Sequence, residues 1–267
     1  MIDLGKISGL PLTLSEEGLL KAEKEGLCLP NPALRKVEDL LPVLLESSNL
    51  EHAKVAYYMY RNIHIKDDSP LFKYSELRYD ITVIFPGILG KEPTKTLGHY
   101  HSRAEFSPYT YPEIYEVLAG EAVFLLQKRN GATISDVVVV KALPGDKLLV
   151  PPDYGHVTIN SGNTILVTSN LMATSATSDH RDYIEKRGAV YHLIKGEEEL
   201  VFQPNFRYGV LPSIREIKPC LSENLCLFTE FSLYESFVKN PAKFRYLVNP
   251  QECGDLLGRY LTQGEKR

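Results

Sequence analysis

The sequence predicts a mainly β protein, a sandwich or a barrel, with helices flanking it at both ends. Two observations carry this prediction. Between residues 55 and 194, short β-favouring runs alternate with turn signals such as Pro86-Gly87, Asn130-Gly131 and Pro144-Gly145. No long helical pattern interrupts these runs, which argues against a parallel α/β sheet. A chain of 267 residues, 43% of them hydrophobic, is long enough to bury such a core.

The first segment, residues 1–54, is expected to be a flank of mixed helical and extended structure. A short helix is predicted around residues 15–24. A second helix is predicted to begin at Asn31-Pro32, because the apolar residues that follow have helical spacing, and Pro42 is expected to end or kink it.

The β body is assigned to residues 55–200. Its predicted strands share β-branched or aromatic residues and flanking turn signals. They are 57–60, 81–85, 114–118, 122–127, 134–140, 147–150, 157–160 and 165–170.

The last segment, residues 201–267, is predicted to be a helical extension. Short helices are expected at 232–238, 241–247 and 251–261, separated by Asn240-Pro241 and Asn249-Pro250. We expect this extension to pack on the barrel or on a partner subunit, because it is small for an independent domain.

Composition excludes several classes of protein. There are 30 basic and 34 acidic side chains, the formal charge is −4, and the basic residues are scattered, so no nucleic-acid partner is expected. No apolar run approaches the roughly 20 residues that a membrane helix needs. The start, MIDLGKISGL, has neither the basic nor the apolar stretch of a secretion signal, so we expect a cytoplasmic protein. The four cysteines form no C-x-x-C pair, so any metal site should use nitrogen and oxygen ligands.

Two histidines at alternate positions indicate a metal site. His99 and His101 would point to the same side of a strand, and Glu113 and His156 can join them from neighbouring strands. Three imidazoles and one carboxylate suit a first-row divalent metal, with positions left for water or substrate oxygens. The alternative is a set of buried, hydrogen-bonded side chains without metal, but burying several ionisable groups in that way is expensive.

The spacings around these residues match two known motifs. Gly120 follows Glu113, Pro151 follows Gly145, and Asn160 follows His156 at the distances typical of cupins, so the segment resembles a cupin. The resemblance implies a jelly-roll barrel, or double-stranded β-helix, with the metal inside its mouth. One departure is the longer insertion at residues 102–112, which we interpret as a hairpin loop that could cover the site.

A narrower resemblance rests on three stretches: RYDITVIFPGILGKEPTKTLGHYHS, YPEIYEVLAGEAVFLLQ and PGDKLLVPPDYGHVTIN. Over about residues 30–250 the chain resembles the cupin-type glucose-6-phosphate isomerase family of archaea and some bacteria. The resemblance implies interconversion of glucose 6-phosphate and fructose 6-phosphate, one divalent metal per subunit (iron, manganese, nickel or zinc) and a homodimer. The alternatives are a metal-dependent cupin dioxygenase and a non-catalytic cupin that binds sugar phosphates.

The resemblance also implies roles for individual residues. The metal ligands would be His99, His101, Glu113 and His156. The sugar-phosphate contacts would be Thr82, Thr96 and Gly98, with Tyr115 pointing at the sugar.

One segment, SDHRDYIEKRG, departs from the family pattern. The family places a tyrosine in the site where a gapless alignment places His180, and Tyr183 could replace it only if the backbone shifts. Arg61 is expected to form a surface ion pair rather than to bind phosphate.

Catalysis needs a positioned base, and Glu113 is the first candidate for it. Tyr115 or a solvent species at the metal would be the alternative proton carrier. A hydride shift between the two carbons would be the alternative mechanism.

Overall fold

Strands are the main regular structure of the chain, which the computed structural model describes for residues 1–219, 222–225, 227 and 230–263. The strands are β1 (Ile2–Asp3), β2 (Leu12–Leu14), β3 (Leu20–Ala22), β4 (Leu27–Cys28), β5 (Ala33–Lys36), β6 (Val55–Tyr60), β7 (His64–Ile65), β8 (Leu77–Ile84), β9 (Ile88–Leu89), β10 (Glu92–Pro93), β11 (Tyr100–His101), β12 (Glu113–Ala119), β13 (Ala122–Asn130), β14 (Thr133–Ala142), β15 (Lys147–Val150), β16 (Tyr154–Asn160), β17 (Leu166–Ala173), β18 (Ser178–Asp179), β19 (Tyr191–Lys195), β20 (Leu200–Pro204) and β21 (Ile214–Ile217).

Helices are short and connect or flank the strands. The α-helices are α1 (Gly5–Ser8), α2 (Val37–Leu40), α3 (Ser69–Ser75), α4 (Arg181–Glu185), α5 (Leu233–Lys239) and α6 (Gly254–Gln263). The 3-10 helices are Leu41–Val43, Lys66–Asp68, Phe206–Tyr208, Glu223–Leu225, Pro241–Leu247 and Pro250–Cys253. Within the described part of the chain, every helix is too short or too polar to span a bilayer.

Two large sheets form the body of the protein. The first has the order β15-β12-β17-β8-β6-β5 and the second the order β16-β13-β14-β21. From β12 to β17 the chain crosses repeatedly between the sheets, with β12, β15 and β17 in the first sheet and β13, β14 and β16 in the second. Spatial neighbours such as β12 and β17 are distant in sequence, as in a jelly roll. The predicted mainly β jelly-roll fold is therefore confirmed. All eight predicted strands are present.

One hydrophobic core joins the inner faces of both sheets. It contains Val83 and Val117 from the first sheet and Leu126 and Val138 from the second, all fully buried. The rings of Tyr115 and Phe124 cross the gap, with centroids 5.3 Å apart.

The N-terminal flank differs from the prediction. The helix predicted at 15–24 is wrong, because β2 and β3 form a hairpin whose turn is closed by Gly18, at φ 77°. The helix predicted from Asn31 is also largely wrong, because Ala33–Lys36 pairs with β6 and only α2 is α-helical. Pairing with an existing strand outweighed the local helical spacing of the apolar residues.

The C-terminal helices confirm the prediction. They lie at α5, Pro241–Leu247 and α6, and Phe237 of α5 packs on Phe72 with ring centroids 4.7 Å apart. The start of α5 is bound to the barrel, since buried Glu116 accepts a hydrogen bond from the Leu233 N–H at 2.9 Å. Glu116 also pairs with buried Lys147 at 2.7 Å.

Strand β21 adds the C-terminal segment to the second sheet. It runs parallel to β14, with Val137 opposite Ile214 and Val140 opposite Ile217. Arg215 of this strand binds Asp136 through two hydrogen bonds, of 2.9 and 2.7 Å, and Tyr154 donates a third at 2.7 Å. Burial alone would raise the pKa of Asp136, but Arg215 and Tyr154 outweigh it and hold the pKa below its ordinary value of 3.8.

We therefore expect Asp136→Asn to lower the free energy of unfolding by about 1–2 kcal/mol at pH 7, the scale of a partly buried two-bond pair. A depressed pKa stabilises the fold above the unfolded value, so the difference from wild type should shrink as pH falls below about 4. Urea unfolding at pH 7 and pH 3 measures it. Glu216→Gln, which removes an exposed pair with Lys141, is the matched control. Equal effects of the two substitutions at pH 7 would contradict the role given to Asp136.

Candidate active site and metal centre

The four predicted metal ligands meet at the mouth of the barrel. Glu113 begins β12 in the first sheet, whereas His156 lies on β16 in the second. His99 pairs with His156 through two backbone hydrogen bonds, of 3.2 and 3.0 Å, and His101 lies two residues further on. One donor atom from each side chain lies within 4.8 Å of the others.

The distances in this cluster fit a bound cation. The Nε2 atoms of His99 and His101 are 3.1 Å apart, and the Glu113 Oε2 atom lies 3.2 Å from His101 Nε2 and 3.3 Å from His156 Nε2. This carboxylate oxygen is buried and has no hydrogen-bond partner. Unsatisfied buried oxygen and nitrogen atoms that converge on one point are costly unless a cation binds them.

Hydrogen bonding and burial place these side chains in the form that binds metal. His101 donates from Nδ1 to the Tyr111 carbonyl at 2.8 Å, which leaves the lone pair on Nε2. Burial lowers the pKa of His99 and His156, so both imidazoles are neutral. Burial alone would raise the pKa of Glu113, but His101 and His156 outweigh it, and the group is ionised. The set suits a first-row divalent metal.

The loop 102–112 supports the cluster from behind. Its end supplies the Tyr111 carbonyl to His101, and Ala104 and Tyr111 pack with Met172 and with Val248 of the C-terminal segment. The cavity beside the metal cluster is lined by none of the loop residues, all of which the structure describes. Ser102, Arg103 and Thr110 of the loop instead line a neighbouring cavity together with His101 and His180, so the covering role of the loop stays a prediction. Glu105, which lies closer in sequence to His101 than Glu113 does, is exposed on this loop.

The predicted substrate contacts line a single cavity beside the metal cluster, here called the substrate cavity. They are Thr82, Thr96, Gly98, Tyr115 and His180. Thr96 accepts a hydrogen bond from the Thr158 N–H at 3.0 Å, so its own hydroxyl proton is free to donate to a ligand. Gly98 has φ 82°, and a Cβ there would lie 2.5 Å from the Tyr183 ring, so glycine is required.

The structure distinguishes His180 from Tyr183. His180 lines the cavity, its ring centroid is 5.4 Å from that of His99, and its Nδ1 donates to the Gly98 carbonyl at 2.6 Å. The second ring nitrogen, Nε2, is therefore the acceptor of a neutral His180. Tyr183 is fully buried against Gly98 and Gly155, so it is a core residue.

Tyr115 lies directly behind the ligands. Its hydroxyl is 3.0 Å from His156 Nε2. Burial, followed by the negative charge of Glu113, raises the pKa of Tyr115 well above its ordinary value. The phenol therefore stays protonated and can donate a proton or a hydrogen bond, but cannot act as a base.

Three arginines in the substrate cavity extend the predicted set: Arg35, Arg61 and Arg78. Arg61 forms the expected ion pair, at 2.7 Å with Asp80, and Arg78 binds the same fully buried carboxylate at 3.0 Å. Arg35 was missed because it lies on β5, where a helix was expected. Its Nε atom is buried without a hydrogen-bond partner.

Comparison with known proteins identifies the family. Residues 34–208, more than half of the chain, match the sequence model of the family described as Glucose-6-phosphate isomerase (GPI). The chain belongs to the glucose-6-phosphate isomerase family. It is 31% identical over 137 residues to the glucose-6-phosphate isomerase of Thermococcus onnurineus (strain NA1), covering 51% of this chain and 67% of that protein. It is 32% identical over 114 residues to the enzyme of Thermococcus litoralis, covering 43% of this chain and 55% of that one.

These alignments thus span about half to two thirds of the relatives' lengths. Among solved structures, vicilin from Corylus avellana (hazelnut) is similar with a TM-score of 0.35 and 15% identity. That match covers 51% of this chain and 34% of vicilin.

Removing one imidazole tests the metal centre. His156→Ala should lose most of the bound divalent metal, because one of four donors is deleted at a buried position. Elemental analysis after dialysis measures metal per chain. His52→Ala, at an exposed histidine outside the cluster, is the control and should keep the wild-type content. Full occupancy in His156→Ala would exclude His156 as a ligand.

Proposed function

We propose that this chain is a metal-dependent isomerase that interconverts glucose 6-phosphate and fructose 6-phosphate. One observation carries the proposal: in a member of this family, a single cavity joins the four-ligand cluster to hydroxyl and guanidinium groups suited to a phosphate. The metal cluster would bind the end of the sugar that carries the reacting carbonyl. Thr82, Thr96 and Arg35 would donate hydrogen bonds to the phosphate at the other end.

The metal requirement follows from the reaction. Aldose–ketose isomerisation moves a hydrogen between C1 and C2 while the carbonyl shifts, so negative charge develops on oxygen. A divalent ion held by His99, His101, Glu113 and His156 would supply Lewis-acid stabilisation of that charge. We propose iron, manganese, nickel or zinc, as the family resemblance implies.

Phosphate binding is assigned to the other side of the cavity. Arg35 offers a guanidinium whose buried Nε lacks a partner, so a phosphate oxygen would satisfy it. Thr96 can donate its hydroxyl proton while it keeps its bond from Thr158. Arg61 and Arg78 form ion pairs with Asp80, which fix their guanidinium groups in place. They add positive potential to the cavity from these fixed positions.

Proton transfer is assigned to Glu113, with Tyr115 as a proton or hydrogen-bond donor. Glu113 is ionised and lines the cavity, as a base must. His180 is a second acceptor within the same cavity, because its Nδ1 is engaged by Gly98 and its Nε2 is free of that bond. A hydride shift between C1 and C2 would need neither group as a base.

We also propose that the protein is cytoplasmic and a homodimer. The family resemblance implies the homodimer. Sedimentation at several protein concentrations measures the oligomeric state.

The decisive test is a coupled assay of glucose 6-phosphate formation from fructose 6-phosphate. We expect turnover by metal-loaded protein, loss after chelation and recovery on adding divalent metal. Oxygen uptake measured on the same samples should be absent. No turnover with any of the four metals would contradict the proposal, and oxygen consumption would favour the dioxygenase alternative.

Thr96→Val should raise KM for fructose 6-phosphate by a factor equivalent to about 1–2 kcal/mol, because the cavity loses one hydrogen-bond donor. The substitution also leaves the buried Thr158 N–H without its acceptor, so stability should fall. Thr96→Ser keeps the oxygen and is the matched control, with KM near wild type. An unchanged KM in Thr96→Val would remove Thr96 from the phosphate site.

Glu113→Gln separates the ligand role from the base role. Glutamine keeps one oxygen donor but cannot accept a proton at neutral pH. At metal saturation, verified by elemental analysis, kcat should stay depressed by about 10²–10⁴-fold. Near wild-type kcat at full occupancy would end the assignment of Glu113 as base. Solvent deuterium appearing in the product would exclude a pure hydride shift.

A further inference from the structure

A second cavity lies away from the metal cluster, here called the arginine cavity. Its volume is about 380 Å³, and its lining includes Leu45, Arg187, His192, Asn205, Phe206 and Arg207. It shares no lining residue with the substrate cavity. Its size is in the range of cavities that hold small-molecule ligands.

The lining of this cavity is positively charged. Arg187 and Arg207 are both exposed, and neither guanidinium forms an ion pair within the part of the chain that the structure describes. No aspartate or glutamate lines the cavity. Two adjacent guanidinium groups without a counter-charge attract an anion, and their planar donors suit phosphate or carboxylate oxygens.

A buried histidine gives the cavity a fixed polar wall. His192 is only 3% exposed, and its Nδ1 lies 3.0 Å from Glu92 Oε1. With Nδ1 held by the carboxylate, Nε2 is the ring atom left for a ligand, and no described residue bonds to it. A histidine held by a buried carboxylate in the lining of an arginine-lined cavity is a second indication of a ligand site.

The support behind His192 is rigid. Glu92 is buried, pairs with Lys95 and accepts a hydrogen bond from the Leu45 N–H at 2.7 Å. Lys95 in turn donates to the Val43 carbonyl at 2.9 Å. Burial alone would raise the pKa of Glu92, but Lys95 and His192 lower it to about 2, so the carboxylate is ionised. The imidazole is thus held in one orientation before any ligand arrives.

We infer that the arginine cavity is a second anion site, which binds a small phosphomonoester through Arg187, Arg207 and His192. Phosphate is favoured over carboxylate because a phosphomonoester carries more negative charge and more acceptor oxygens, which two guanidinium groups without a counter-charge can bind together. The exposed ring of Phe206 at the rim offers an apolar face to the organic part of the ligand. This site does not depend on the isomerase activity proposed above.

The test is calorimetric titration of the full chain with inorganic phosphate at low ionic strength. We expect two phosphates per chain in wild type, one in the substrate cavity and one in the arginine cavity. Arg207→Gln should weaken one of the two by about tenfold or more, the effect of losing a charged donor. Arg187→Asn should do the same, and asparagine tolerates the φ of 56° at that position. Arg245→Gln, at an exposed arginine paired with Glu252, is the control.

The two sites are distinguished by variants of the substrate cavity. The double variant Thr82→Val/Thr96→Val should lose affinity at the other phosphate and keep the one that Arg207→Gln weakens. Two binding events in Arg187→Asn/Arg207→Gln with wild-type affinities would overturn the inference. So would loss of all phosphate binding in Thr82→Val/Thr96→Val with the fold intact by circular dichroism. Absence of isomerase turnover would leave these results unaffected.

His192→Asn provides an independent check. It removes Nε2 and leaves both arginines. If His192 binds phosphate, the phosphate affinity of the arginine cavity should fall. If the arginines alone attract phosphate, the affinity should not change. Because His192 is buried, thermal unfolding must show a folded variant before the titration is interpreted. Unchanged affinity in the folded variant would reduce the site to a surface attraction and contradict the inference.

Discussion

The candidate site depends on one constraint: donors from two different sheets must meet at a point. Glu113 belongs to the first sheet and His156 to the second, while His99 reaches the cluster by pairing with His156. A shift of one residue in either strand would turn the side chain to the opposite face. The register between Glu113 and Val150 and that between Leu126 and His156 therefore fix where the two side chains lie in the cluster. The hydrophobic core that holds the sheets together is also what holds the ligands together.

A second constraint is electrostatic. Asp80, fully buried, accepts hydrogen bonds from Arg61, Arg78 and the Asn62 N–H, which satisfies the carboxylate and fixes two cations at the edge of the substrate cavity. Arg35 lies in the same cavity without an ion pair to any described residue. The cavity therefore combines fixed and available positive charge on one side with the metal ligands on the other. That polarity matches a substrate with a phosphate at one end and a reacting carbonyl at the other.

The sequence predicted the strands and the convergence of the four candidate ligands well, for local reasons. Alternating apolar residues between Pro-Gly and Asn-Gly turns leave little freedom in where a strand lies, and two histidines at alternate positions share a face. What it missed depends on contacts between distant segments. Residues 33–36 belong to a segment with helical spacing of apolar residues, but they pair with β6. Because a helix was expected there, Arg35 was not predicted as a site residue. Tyr183 packs against Gly98, a contact that no linear motif shows, so His180 and not Tyr183 lines the cavity. The arginine cavity is lined by residues from Leu44 to Arg207, which are distant in sequence, so no local motif predicted it.

Strand β21 has a consequence for the protein during its synthesis. Residues 137–140 of β14 are four consecutive valines, and without β21 their backbone N–H and C=O groups would form an open, strongly β-prone sheet edge. Such an edge can pair with the same strand of another molecule. Strand β14 leaves the ribosome before residues 214–217 do, so the nascent chain carries an unprotected edge until those residues are made. By pairing with β14, strand β21 covers an edge that could otherwise aggregate.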